Sequence, residues 1–213
     1  MWKRWLILLL MLACLLPARA TACEEGNAPV LLDYQAFLRE YSEAIEENRD
    51  MVRHWQVSEA AKMAGLDGTG YAFATIGKDE IPELLIGDIE NWHVWQAYTW
   101  SDGKIYSLYP EGDPGGEMWL TDEGMLYLEC ATADWGYSAW SSKLPGSTIR
   151  SFVAGYEQDL DTGLVRFFRG EFDADGMPVW HKTYIDVKYI RAMMPSTQMM
   201  ELVWHPLHEL SKQ

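Results

Sequence analysis

Residues 95–109, WQAYTWSDGKIYSLY, decide the fold. An aromatic run, Trp95–Trp100, meets Ser101-Asp102-Gly103-Lys104, and a second run follows through Tyr109. An Asp-Gly pair readily takes the two positive φ angles of a tight hairpin turn, so the stretch predicts two antiparallel strands. The same grammar recurs downstream. Asp122-Glu123-Gly124, Asp161-Thr162-Gly163 and Asp173-Ala174-Asp175-Gly176 punctuate GMLYLEC (124–130), IRSFVAGY (149–156) and LVRFFRGEF (164–172). Strands that follow one another through tight turns build a meander rather than a parallel βαβ sheet.

Upstream the apolar period changes from two to between three and four. Tyr34, Phe37, Leu38, Tyr41 and Ile45 form one stripe, with Glu40, Glu43, Glu46 and Glu47 on the other side. This predicts an amphipathic helix with Asp33 as its N-cap, running on toward Met51 and Trp55. Ser58 is placed to cap a second helix, SEAAKMA, which Gly65 ends. Near the C-terminus Thr183 and Asp186 have the spacing of a capping box for a helix through Met194, closed by Pro195. A last strand, MMELVWHPL (199–207), is expected after it. The fold class is therefore α+β. An N-terminal helix packs on a curved, mainly antiparallel β-meander of seven to nine strands, with a short C-terminal helix and a last strand. Residues 31–213 make one domain.

The first residues carry an address. Lys3 and Arg4 precede the apolar run Trp5–Leu16, Pro17 breaks it, and Ala18, Ala20 and Ala22 follow. This order is that of a secretory signal peptide over residues 1–22, and the run is shorter than the ~20 residues of a membrane span. Two exits remain open. Cleavage would release a secreted protein; lipidation of Cys23 would leave an anchored lipoprotein with residues 23–30 as tether. In the first case Cys23 and Cys130 can pair as a disulfide; in the second Cys130 is left alone. No C-x-x-C pair suggests zinc or thioredoxin-like chemistry.

The formal charge of −15 becomes −18 once Lys3, Arg4 and Arg19 leave with the signal. So acidic a surface repels phosphate backbones and anionic lipid heads. Nucleic acid is excluded as a partner, and a membrane enters only through an N-terminal lipid.

Tyr71–Ile86, YAFATIGKDEIPELLI, resembles the strand–loop–strand frame of exported bacterial proteins that carry D-x-D-x-D-G-x-x-E/D, as in FG-GAP and VCBS-type repeats. The layout of a leading helix, this loop and aromatic hairpins is also similar to small secreted proteins of Gram-positive gut-type bacteria. In the resembled loop, alternate carboxylates converge on Ca²⁺. Here Thr75 and Gly77 fill the first two acidic positions and Glu80 the glycine. Only Asp79 and Glu83 match side-chain ligands. Ca²⁺ takes about six to eight oxygens, so the frame is expected without a cofactor, Ca²⁺ being the one metal it could suggest.

The chain beyond the signal keeps nine tryptophans. Strand alternation puts Trp92, Val94, Tyr98 and Trp100 on one face and His93 and Trp95 on the other, and a second cluster gathers Trp135, Tyr137 and Trp140. These rings either fill the core or make a platform; Trp92, Trp95, Trp100, Trp135, Tyr137 and Trp140 are the candidate ligand-binding residues. His205 and His208, with Glu209 beside them, flank Pro206. Ser138 lies in G-Y-S-A-W, which lacks the second glycine of a nucleophile elbow. The function expected is an extracytoplasmic binding or interaction module for a polysaccharide, a peptide or a protein partner. The alternative is a small secreted hydrolase whose acids or Cys130 meet in the fold.

Overall fold

The structure, a computed structural model, describes residues 24–77, 80–108, 116–144, 149–172 and 178–212. Helix α1 (Glu24–Glu46) buries the predicted stripe, and Val30 extends that stripe one turn upstream. Residues 24–30, expected as a tether, are therefore helical. Burial at Val30 outweighs the single backbone hydrogen bond that Pro29 cannot donate. Asp33 is not the N-cap but lies mid-helix, where its Oδ2 accepts the Trp100 Nε1–H at 2.8 Å.

The helix stops in a Schellman turn. Asn48 adopts φ 53°, and the Arg49 N–H reaches back to the Ala44 carbonyl. Met51 and Trp55 consequently open a small hairpin, β1 (Met51–Val52) and β2 (Trp55–Gln56), instead of prolonging the helix. Ser58 caps α2 (Glu59–Gly68) by accepting the Ala61 N–H, and Gly65 breaks that helix at φ 66°.

Four consecutive strands then pair antiparallel: β3 (Thr69–Ala74), β4 (Glu83–Asp88), β5 (Val94–Ser101) and β6 (Lys104–Ser107). Six more form a second antiparallel sheet: β7 (Glu117–Leu120), β8 (Leu126–Ala131), β9 (Trp135–Lys143), β10 (Ile149–Gln158), β11 (Val165–Phe172) and β12 (Pro178–Ile185). The meander is present, divided between β6 and β7 into two sheets. Asp102 and Gly103, at φ 50° and 75°, make the turn that residues 95–109 announced.

Helix α3 (Val187–Met193) is capped by Asp186 alone, because Thr183 belongs to β12. The tail that was expected as a full strand pairs only twice. Met199 bridges Thr121, and β13 (His205–Pro206) joins the first sheet beside β3 before the 3-10 turn Leu207–Lys212.

Four layers result. Phe37 and Tyr41 of α1 pack on Leu84, Ile86, Tyr98 and Ile105 of the five-stranded sheet. From its other face Leu85, Val94 and Ala97 meet Leu128, Ala139 and Val153 of the six-stranded sheet. On the far side Ile190 of α3 covers Tyr127, Trp140 and Ala154. β4 is buried on both faces, which is why Leu84-Leu85-Ile86 reads as an unbroken apolar run.

One irregularity reverses an expectation. Pairing slips beside Gly87, so Gln96 faces Ile86 while Val94 faces Gly87, and Trp95 is the extra residue. The chain passes so close that a Cβ on Gly87 would lie 2.1 Å from the His93 carbonyl oxygen. Val94 therefore turns toward the second sheet, whereas Tyr98 and Trp100 turn toward α1. The alternation expected to hold Trp92, Val94, Tyr98 and Trp100 on one face breaks at this bulge.

Candidate functional site

The six candidate rings go to separate places. Trp95 packs into the helix-covered core, and Trp100 does so with its N–H on Asp33. Tyr137 is buried between the sheets, 5.8 Å from the Trp180 ring. Trp140 is buried under the C-terminal tail and donates from Nε1 to the Ser196 carbonyl at 3.0 Å. Trp92 and Trp135 remain 42% and 40% exposed, one before β5 and the other at the start of β9.

The outer face of the six-stranded sheet does carry an aromatic ladder, Trp119–Tyr127–Trp140–Phe152, with centroid spacings of 4.5, 5.0 and 5.8 Å. It is not an open platform. Residues 196–200 lie along it as a strap: the Trp119 indole donates to the Thr197 carbonyl, the Asp122 N–H to Gln198, and the Met200 N–H to Leu120. The chain thus supplies its own cover for that ladder.

Glu83 has an internal role. Its carboxylate and the Lys143 ammonium, 0% and 1% exposed, meet at 2.8 Å between the two sheets. The Thr99 hydroxyl and the Ile76 N–H also donate to it, at 3.1 and 2.7 Å. A Cβ on Gly77, at φ 94°, would meet the Lys143 carbonyl oxygen at 2.4 Å, so only glycine lets the loop lie on the end of β9. Asp79 lies outside the described residues, as does Cys23. Among the described residues no three His, Cys, Asp or Glu side chains group where they could hold a metal ion.

Other candidates stay apart. His205 sits against the Tyr71 ring, while His208 Nδ1 lies 3.2 Å from Asp67 Oδ1. Ser138 Oγ is 3.0 Å from the Tyr127 hydroxyl, which also reaches Glu129 at 3.3 Å. Burial pushes that phenol up to about 12, so it holds its proton at neutral pH and cannot take one from Ser138. Cys130 is half-buried in β8 opposite Tyr137. No helix among the described residues is long and apolar enough to cross a membrane.

A groove that the aromatic pattern did not point to opens at one end of the six-stranded sheet. β12 turns away at Asp186 while β11 continues: the last pairing is Phe167 with Ile185, and Val165 and Arg166 pair with β10 alone. The notch has a volume of about 570 Å³ and is lined by Val165, Arg166, Phe167, Ile185, Val187 and Arg191. Tyr184, 56% exposed, stands at it with the Arg166 Cζ 5.3 Å from its ring centroid. Among the described residues neither arginine has a carboxylate within salt-bridge distance, although Arg166 stands opposite Glu157 on β10 and its charge acts on the Asp159 carboxyl. The groove's one carboxylate, Asp186, accepts the Lys188 N–H at 2.8 Å as the helix cap.

Charge bookkeeping along the chain was the missed signal. Residues 24–148 hold 23 acids and 7 bases, whereas 149–194 hold 7 acids and 6 bases. Compared with known proteins, the chain matches no family model, no curated protein and no solved structure.

Proposed function

We propose that this chain is an extracytoplasmic interaction module that holds an acidic, apolar-bearing segment of a protein partner in the groove at the β11–β12–α3 corner. The observation that carries the reading is the pair of arginines beside an apolar notch, neither of them within salt-bridge distance of a carboxylate among the described residues. Arginine is the side chain best shaped to take a carboxylate through two parallel hydrogen bonds. Val165, Phe167, Ile185 and Val187 suit an apolar side chain between two such carboxylates. The leader over residues 1–22 supports the extracytoplasmic part of the reading.

The test is a binding measurement on residues 24–213, using an immobilised set of short peptides with leucine flanked by aspartate or glutamate, alongside neutral and acidic oligosaccharides. The expected result is retention of the acidic peptides, weakened about tenfold or more by Arg191→Ala. Selective retention of oligosaccharides, or peptide binding indifferent to Arg166 and Arg191, overturns the reading.

A further inference from the structure

The surface beside the groove carries the groove's own complement. The β10–β11 hairpin projects beyond the end of β12, and its tip reads Asp159-Leu160-Asp161-Thr162-Gly163-Leu164. Leu160 is 66% exposed and stands between two aspartates, and Leu164 is exposed beside it. The turn is a built one. Asp159 Oδ1 accepts the N–H groups of Asp161 and Thr162 at 3.0 and 2.9 Å, and Gly163 takes φ 69°. An acid–leucine–acid knob is thus held in a defined shape.

The knob cannot fill the notch of its own chain in this arrangement, since Val165 and Arg166 of the notch follow it directly on β11. A second molecule has no such restriction. Knob and notch adjoin in one patch, so a twofold axis beside Val165 would place each knob in the other molecule's notch. A patch that contains both halves of a complementary pair is what an isologous contact requires.

We infer that the partner of the groove is a second copy of this chain, forming a twofold dimer in which Leu160 and Asp161 of each copy enter the Arg166/Arg191 notch of the other. The inference rests on the reading of the notch as a binding surface for an acidic, apolar-bearing segment. It accounts for two features at once: exposed Leu160, Leu164, Val165 and Tyr184 cluster at one corner, and both charge signs sit beside them. Contiguous exposed apolar side chains rimmed by charges are the usual mark of a docking surface.

The experiment is sedimentation velocity on residues 24–213 across about 1 to 200 μM, with single and mixed variants. Wild type is expected to shift from monomer to dimer within that range. Leu160→Ser is expected to weaken the dimer about tenfold or more. D161R alone and R191D alone should each behave as monomers, because each places like charges together. Mixing D161R with R191D should restore a dimer, since both contacts in the mixed pair again join opposite charges. Circular dichroism on each variant verifies that the fold is intact. A wild-type protein that stays monomeric, a dimer unaffected by R191D, or a mixture that fails to associate overturns the inference. The acidic peptides applied to L160S separate the two levels. Binding that depends on Arg191 without any dimer leaves the groove reading standing and removes the second copy; the absence of both removes both.

Discussion

The two sheets solve the same problem differently. The first, under α1, is covered on both faces: β4 is apolar toward the helices and toward the second sheet, and Tyr41, Gln96 and the Ser58 N–H knit α1, β5 and α2 together. The second is roofed on its outer face by α3, seven residues long, and by the extended strap at 196–200. Of the large apolar side chains that remain exposed among the described residues, ten of fourteen belong to residue 135 or later. The acid excess shrinks over that region as well. A sheet sealed on both sides is a scaffold, whereas a thinly covered sheet with a neutralised, apolar end has surface left for a partner.

The largest expected effect breaks the seam between the two. Lys143→Met leaves Glu83 buried without its cation and should cost about 3–5 kcal/mol in urea unfolding. Adding Glu83→Leu should recover most of that loss, because a buried pair is costly to halve and cheap to replace. A single variant within ~1 kcal/mol of wild type would mean the sheets are not joined there.

Core truncations sharpen the contrast. Leu38→Ala, in the sealed half, should cost about 2–5 kcal/mol, while Leu160→Ala at the exposed tip should stay within ~0.5 kcal/mol in a dilute, monomeric sample. Equal losses would remove the distinction between scaffold and surface.

The strap offers a smaller effect with a local signature. Trp119→Phe, at a half-buried ring, removes the indole donor to the Thr197 carbonyl of the strap and should cost about 1 kcal/mol. Hydrogen exchange should rise at residues 196–200 and remain unchanged in α1. Uniform acceleration across both halves would mean that the strap is not a separate unit.

The smallest effects lie on the scaffold's surface. A hydrogen bond from Arg53 is the main cause that holds Glu40 below the usual carboxylate range. The contribution of this pair is complete above the carboxylate pKa of the unfolded chain and disappears as pH falls through the lower folded value. Arg53→Met should therefore flatten the acid limb of stability by under ~0.5 kcal/mol, since both groups are well solvated. Millimolar Ca²⁺ should move the melting temperature by about 1 °C or less, Glu83 being already paired; a rise of many degrees would restore the calcium loop.

Residues in immediate succession were enough to announce the helix, the capped second helix and the hairpins. The 3–4 period of Tyr34–Ile45 and the Asp-Gly turn at 102–103 act within a few residues of themselves, so no distant contact can easily overrule them. Other features depended on pairs far apart in the chain. Glu83 reads as a loop ligand until Lys143, sixty positions away, is folded against it. Val94 reads as a neighbour of Tyr98 until Gly87 draws His93 close and inserts a bulge. Trp140 stays open between core and platform until Ser196 covers it. The notch exists only because β12 leaves the sheet before β11 ends. Local periodicity and turn chemistry determined the buried stripe of α1, the cap of α2 and the hairpins of the meander from the sequence alone. The division into two sheets, the burial of the aromatic ladder and the groove with its two arginines were decided by packing between distant segments, which no local pattern encodes.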